Sequence, residues 1–183
     1  MHHPVPAQPE TADTQSLCHS IVPGVNPVWV NCSPLPYAEE KDCFINVEQV
    51  IASNGGKAVF GWAIWHVPGV YIEAEFHCIW EDDAGNMRDV TPYPDRFEKI
   101  LFLPDPKRHY SGRQIDSVRK PLVDDPDVIR WLYLARRRFE ILNTGELAEQ
   151  YGRIELPVKL AKEYARNAEE TQKLTRRLDR RYP

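Results

Sequence analysis

No run in the 183-residue chain approaches the roughly 20 apolar residues that a membrane span needs, so no transmembrane helix is expected. The opening MHHPVPAQPETADTQ lacks the apolar core of a signal peptide, so no secretory leader is expected either. The four cysteines, Cys18, Cys32, Cys43 and Cys78, form no CxxC pair and lack the density of a disulfide scaffold. They read as free thiols of a reducing cytoplasm. The alternative is delivery by a secretion system that leaves no such signal. HExxH, CxxC and paired-histidine spacings are missing, which argues against a metal centre, and no cofactor is implied. There is no internal repeat. A net charge of −4 offers no general attraction to nucleic acid or anionic membrane. Apolar and charged fractions are ordinary, so the expectation is a single globular domain with its own core.

Residues 1–16 are polar, proline-bearing and aperiodic, and predict an unstructured arm. A core domain is expected over 17–142 and a helical extension over 143–183. Val28-Trp29-Val30 suits a short strand within an otherwise irregular, proline-spaced segment. Asp42 is a good helix N-cap, Phe44, Val47, Val50 and Ile51 follow at core spacing, and Asn54-Gly55-Gly56 is a stop. Cys43 is then the first helical residue, where the helix dipole and unbonded N–H groups favour a thiolate and can hold an oxyanion. Lys57–Trp65 and Lys99–Pro104 read as strands, and residues 105–124 as a loop. Asp125-Pro126 opens a helix with Val128, Leu132, Ala135, Phe139 and Leu142 on one face. From Pro157 onward a charged helix carries eight Lys or Arg against four acids, net +4. It reads as a solvated or self-docking helix, with RNA or partner binding through it as the sharper reading.

Val70–Trp80 alternates. Val70, Ile72, Ala74, Phe76, Cys78 and Trp80 share one face, and Tyr71, Glu73, Glu75, His77 and Ile79 the other, taken as polar. The acidic, glycine-bearing loop Glu81–Gly85 suits a hairpin. If Trp80 and Asn86 close it, His77 lies directly opposite Asp89, within reach of a carboxylate–imidazole bond. Cys43, His77 and Asp89 then make a nucleophile, a base and an orienting carboxylate. Asn31 and Asn46 are candidates for a second oxyanion donor. Glu73 and Glu75 can take a cationic or amide group of a substrate, and Trp65 a place in the pocket wall. His66 and His109 read as surface residues.

Cys43-Phe44-Ile45-Asn46-Val47, Gly61-Trp62-Ala63-Ile64-Trp65, Glu73-Ala74-Glu75-Phe76-His77 and Asp89-Val90-Thr91-Pro92 follow in order. Over roughly residues 28–140 the chain resembles the transglutaminase-like branch of the papain-like cysteine enzymes. In detail it is similar to bacterial proteins with CFxNV, GWxIW, EAxxH and DxTP motifs. The resemblance implies an α+β, papain-like transglutaminase core, with a cysteine-bearing helix packed on an antiparallel sheet and helices after it. It implies thiol-dependent acyl transfer or hydrolysis at an amide of a protein or peptide, by Cys43, His77 and Asp89. Crosslinking, deamidation, peptide hydrolysis and loss of catalysis all occur in such a family, so a silent protein-binding module is the alternative. Residues 79–183 hold no cysteine, so the zinc-chelating C-terminal tail of some relatives is not expected within them.

Overall fold

The computed structural model describes residues 3–150 and 152–183, and mixes helices with a sheet that closes on itself. The chain divides into two compact units. One, residues 5–66 and 72–110, contains every residue of the proposed triad.

Within that unit the elements in chain order are β1 (Val5–Pro6), α1 (Ala12–Ile21), β2 (Val28–Cys32), α2 (Cys43–Asn54), β3 (Lys57–Val67), β4 (Tyr71–Glu81), β5 (Met87–Asp89) and β6 (Lys99–Pro104). Strands neighbour in the order β3-β6-β2-β5-β4, and β4 returns to pair with β3, closing a five-stranded barrel. Its pairings are antiparallel where registers are defined, except for parallel β2–β5 with Cys32 beside Asp89. Closure leaves no open edge among these five strands. Val30, Ala63, Trp65, Ile79, Ile100 and Phe102 from four strands make one buried cluster. Gly61 faces Pro104 across the β3–β6 pair, and a Cβ there would collide with the Leu103 carbonyl and the Phe102 ring. Helix α2 packs Cys43, Val47 and Val50 against Cys78 and Val90. It ends on Gly55, whose φ of 74° suits glycine and whose N–H donates to Ile51 O at 2.9 Å.

The expectation of an unstructured arm over 1–16 is corrected for the described residues from His3 on. Val5 and Pro6 pair with His66 and Trp65, and Thr11 caps α1. The physical reason is burial: Ala7, Thr14, Leu17 and Cys18 are all buried, a pattern hidden by the low mean hydropathy of the stretch. Met1 and His2 lie outside the described residues.

The second unit holds Val67–Tyr71, β7 (Val118–Pro121), α3 (Pro126–Leu142), a 3-10 turn (Gly145–Glu149) and α4 (Val158–Arg181). Strand β7 falls inside the expected 105–124 loop, and Leu122 N–H donates to Val70 O at 2.8 Å. Asp125 caps α3 through Asp127 N–H at 2.8 Å. Helices α3 and α4 run antiparallel, since Arg130 meets Glu170, Arg137 meets Glu163 and Asp127 meets Arg177. The predicted boundary at 142 is therefore displaced: α3 belongs with α4 rather than with the triad. The basic helix docks on its own chain, with Arg177 and Arg181 on the α3 carboxylates Asp127 and Asp125. Tyr151, inside the expected extension, is outside the described residues. Among the described residues no helix is long and apolar enough to cross a membrane.

Candidate active site

Cys43 opens α2 as the pattern predicts, but not by the expected cap. Asp42 makes no side-chain bond to the helix; only its carbonyl accepts, from Asn46 N–H at 2.9 Å. The first-turn N–H groups, at the positive end of the helix dipole, thus make no bond to the Asp42 carboxylate. Lys41, two residues earlier, holds φ at 68°, a left-handed conformation unusual for lysine.

His77 is only 5 % exposed and Asp89 is fully buried. Nε2 of His77 lies 3.1 Å from Asp89 Oδ2. This occupies Nε2, and the Cys43 thiol lies near enough to the imidazole to help raise its pKa. Burial alone pulls the His77 pKa down, but the Asp89 charge, reinforced by Cys43 and by hydrogen bonds to both, lifts it well above 6.5. A buried imidazole that still favours its charged form is suited to taking a thiol proton and keeping it near the sulfur. The other thiols are unsuited. Burial pushes Cys18 up to about 11 and Cys32 up to about 12, the latter with help from Asp89, and raises Cys78 further.

The hairpin register differs from the expected one. Trp80 pairs with Arg88 and Glu81 with Met87, so the five-residue loop is Asp82–Asn86. The cause is the Asp82 carboxylate, which accepts from Ala84 N–H, Asn86 N–H and Asn86 Nδ2 and draws Asn86 into the turn. A shift of two residues preserves the face, so Asp89 meets His77 diagonally rather than directly across. That face is also not polar throughout. His77 and Ile79 are buried, and only Glu75 is exposed.

Asn46, expected as an oxyanion donor, is a clamp. Its Oδ1 accepts from Glu39 N–H at 3.0 Å, and Nδ2 donates to Glu39 O at 2.8 Å and to Thr91 Oγ1 at 3.3 Å. Both amide protons are engaged, so the side chain has none for a substrate. It instead holds the segment that leads into Cys43. Asn31 is exposed on β2. Trp65 donates Nε1 to Glu75 Oε2 at 2.9 Å, which joins two residues expected at the substrate to each other. Glu73 is half-buried on β4. Of the two histidines read as surface residues, His109 is exposed with its ring edge-on to Phe60, and His66 is half-buried in β3.

Three residues of the site were not singled out. Thr91 N–H donates to Asp89 Oδ1 at 3.0 Å. Tyr93 donates its hydroxyl to Asp89 Oδ2 at 2.6 Å. Prolines 92 and 94 bias Thr91 and Tyr93 toward extended backbone, so Asp89, Thr91 and Tyr93 fall on one side, a signal available in the sequence. Tyr110 stacks on Phe44 with ring centroids 3.8 Å apart and planes within 3°. Partial burial, then the nearby Cys43 and Asp42, raise its hydroxyl pKa, which puts Tyr110 beside a thiol only 6 % exposed. No sequence pattern links a loop tyrosine to a helix start 67 positions earlier.

Among the described residues no three His, Cys, Asp or Glu side chains are placed to hold a metal ion. No protein-family model, no curated protein and no solved structure gives a significant match to this chain.

Proposed function

We propose that the protein carries out thiol-dependent acyl transfer or hydrolysis at an amide of a protein or peptide. In this reading Cys43 is the nucleophile, His77 the acid–base group and Asp89 its orienting carboxylate. The observation that carries it is the convergence of a helix-terminal thiol and a carboxylate on one buried imidazole. Cys43 Sγ passes its proton to His77 and attacks the amide carbonyl carbon. The first-turn N–H groups of α2 receive the oxyanion. As the C–N bond breaks, His77 returns the proton to the leaving amine and a thioester remains. Water, or a second amine, then attacks the thioester while giving a proton to His77, which returns it to the departing sulfur. The order of cysteine on a helix, histidine on a strand and aspartate on the next strand supports a papain-like, transglutaminase-type core. Four unpaired cysteines suit a reducing, cytoplasmic compartment.

The pH dependence of iodoacetamide labelling at Cys43 tests this. An ordinary thiol with a pKa near 8.5 loses roughly 200-fold in thiolate between pH 9 and pH 6. A Cys43–His77 ion pair is expected to lose less than about tenfold, and His77→Ala to restore the steep fall. A steep fall in the native protein would refute catalysis and leave a protein-binding module.

A further inference from the structure

Asp89 Oδ2 is shared. It accepts from the Tyr93 hydroxyl at 2.6 Å and faces His77 Nε2 at 3.1 Å, while the Tyr93 oxygen itself lies 3.3 Å from Nε2. The short contact to a buried carboxylate is a charge-assisted O–H···O⁻ bond. Burial, reinforced by Asp89, disfavours ionisation of Tyr93, so the proton stays on the phenol and points at Asp89. The phenol oxygen then offers Nε2 only lone pairs. Nε2 must bring the proton to both acceptors, and Nδ1 keeps the lone pair. Trp65 and Phe97 hold the phenol ring edge-on, at centroid distances of 5.2 and 5.9 Å.

We propose that Tyr93 is a positioning residue of the triad, which holds His77 in the Nε2–H tautomer and, by occupying Asp89 Oδ2, moderates how strongly that carboxylate stabilises the imidazolium. This rests on the thiol-dependent reading above. The ionisable groups around the pair are Asp89, Cys43, Cys32, Cys78 and Glu75. Cys32, at about 12, and the still higher Cys78 stay protonated through the useful range and do not disturb the titration of His77.

Tyr93→Phe keeps the ring and removes the bond. With the carboxylate charge turned fully on His77, the His77 pKa read by NMR is expected to move up by about 0.5–1 unit, and the Cys43 labelling rate at pH 7 to fall about 3- to 10-fold. A variant whose labelling is only scaled while the His77 pKa stays in place, or whose His77 pKa moves down, would overturn the proposal. Nitrogen NMR of the native protein gives a reading that does not depend on the variant folding. Neutral His77 must be the Nε2–H tautomer, and an Nδ1–H tautomer refutes the arrangement. If native Cys43 labels as an ordinary thiol, the catalytic reading fails. The tautomer and the NMR titration of His77 in Tyr93→Phe still decide the role of Tyr93.

Discussion

Asn46→Ala probes the clamp that delivers Cys43. The native side chain is 2 % exposed and makes hydrogen bonds of 2.8, 3.0 and 3.3 Å. At about 0.5–1.5 kcal/mol net each, three bonds are worth roughly 1.5–4.5 kcal/mol. Glu39 is exposed, so water replaces much of what its backbone loses, whereas Thr91 is buried and its hydroxyl stays without that donor. The expected loss is therefore about 2 kcal/mol, equivalent to about 4–8 °C in melting temperature for a chain of this size. Urea unfolding followed by tryptophan fluorescence measures it. The site should loosen as well, because Lys41 holds a left-handed backbone worth about 1 kcal/mol of strain that the clamp opposes. Cys43 labelling at pH 6 is expected to slow about tenfold, more than the stability change explains at temperatures where the variant stays folded. Asn46→Ala with a loss below about 0.5 kcal/mol and unchanged labelling would refute the clamp. An additional Thr91→Val substitution should cost less in that background than in the native one, since the two residues share a bond.

Gly61→Ala should destabilise by about 2 kcal/mol or more, because the methyl meets the Leu103 carbonyl and Phe102 ring; an unchanged melting temperature would contradict the close approach. The raised pKa of His77 stabilises the fold fully below about 6.5 and is lost as pH climbs through the folded-state value. Asp89→Asn should therefore flatten the alkaline decline of stability, and identical pH slopes in the two proteins would contradict the pairing. Asp125 is held down, at about 2, chiefly by its hydrogen bond from Arg181. Its contribution is present above about pH 4 and fades as pH falls toward 2. Asp125→Ala should lower stability by about 1 kcal/mol at pH 7 through the lost α3 cap, and by less at pH 2 in the same urea assay. Tyr110→Ala should raise the Cys43 labelling rate several-fold if its stacking on Phe44 covers the thiol, and an equal rate would show the thiol open already.

Local signals placed much of the chain. Asp125-Pro126 opens α3 because an aspartate side chain can accept from Asp127 N–H and a first-turn proline lacks only a donor that helices leave unused. Gly55 stops α2 because its positive φ is free of strain. Alternation put His77 and Asp89 on one face, and their even offset kept them there when the register moved by two. The N-terminal segment was less legible, since its helix buries only one side of a polar sequence.

The sequence by itself determined the periodicities, the helix starts and stops, and the three residue types of the proposed triad with their order along the chain. These depend on backbone preferences and side-chain spacing within a few residues. The tertiary structure alone decided the use of Asn46 as a clamp between Glu39 and Thr91, the approach of Asp89 to His77 and the stacking of Tyr110 on Phe44. Each depends on which hydrogen-bond partners the closed sheet and the packed helix bring within about 3 Å. Distances on that scale between remote segments are set by the whole barrel and by no stretch of it alone.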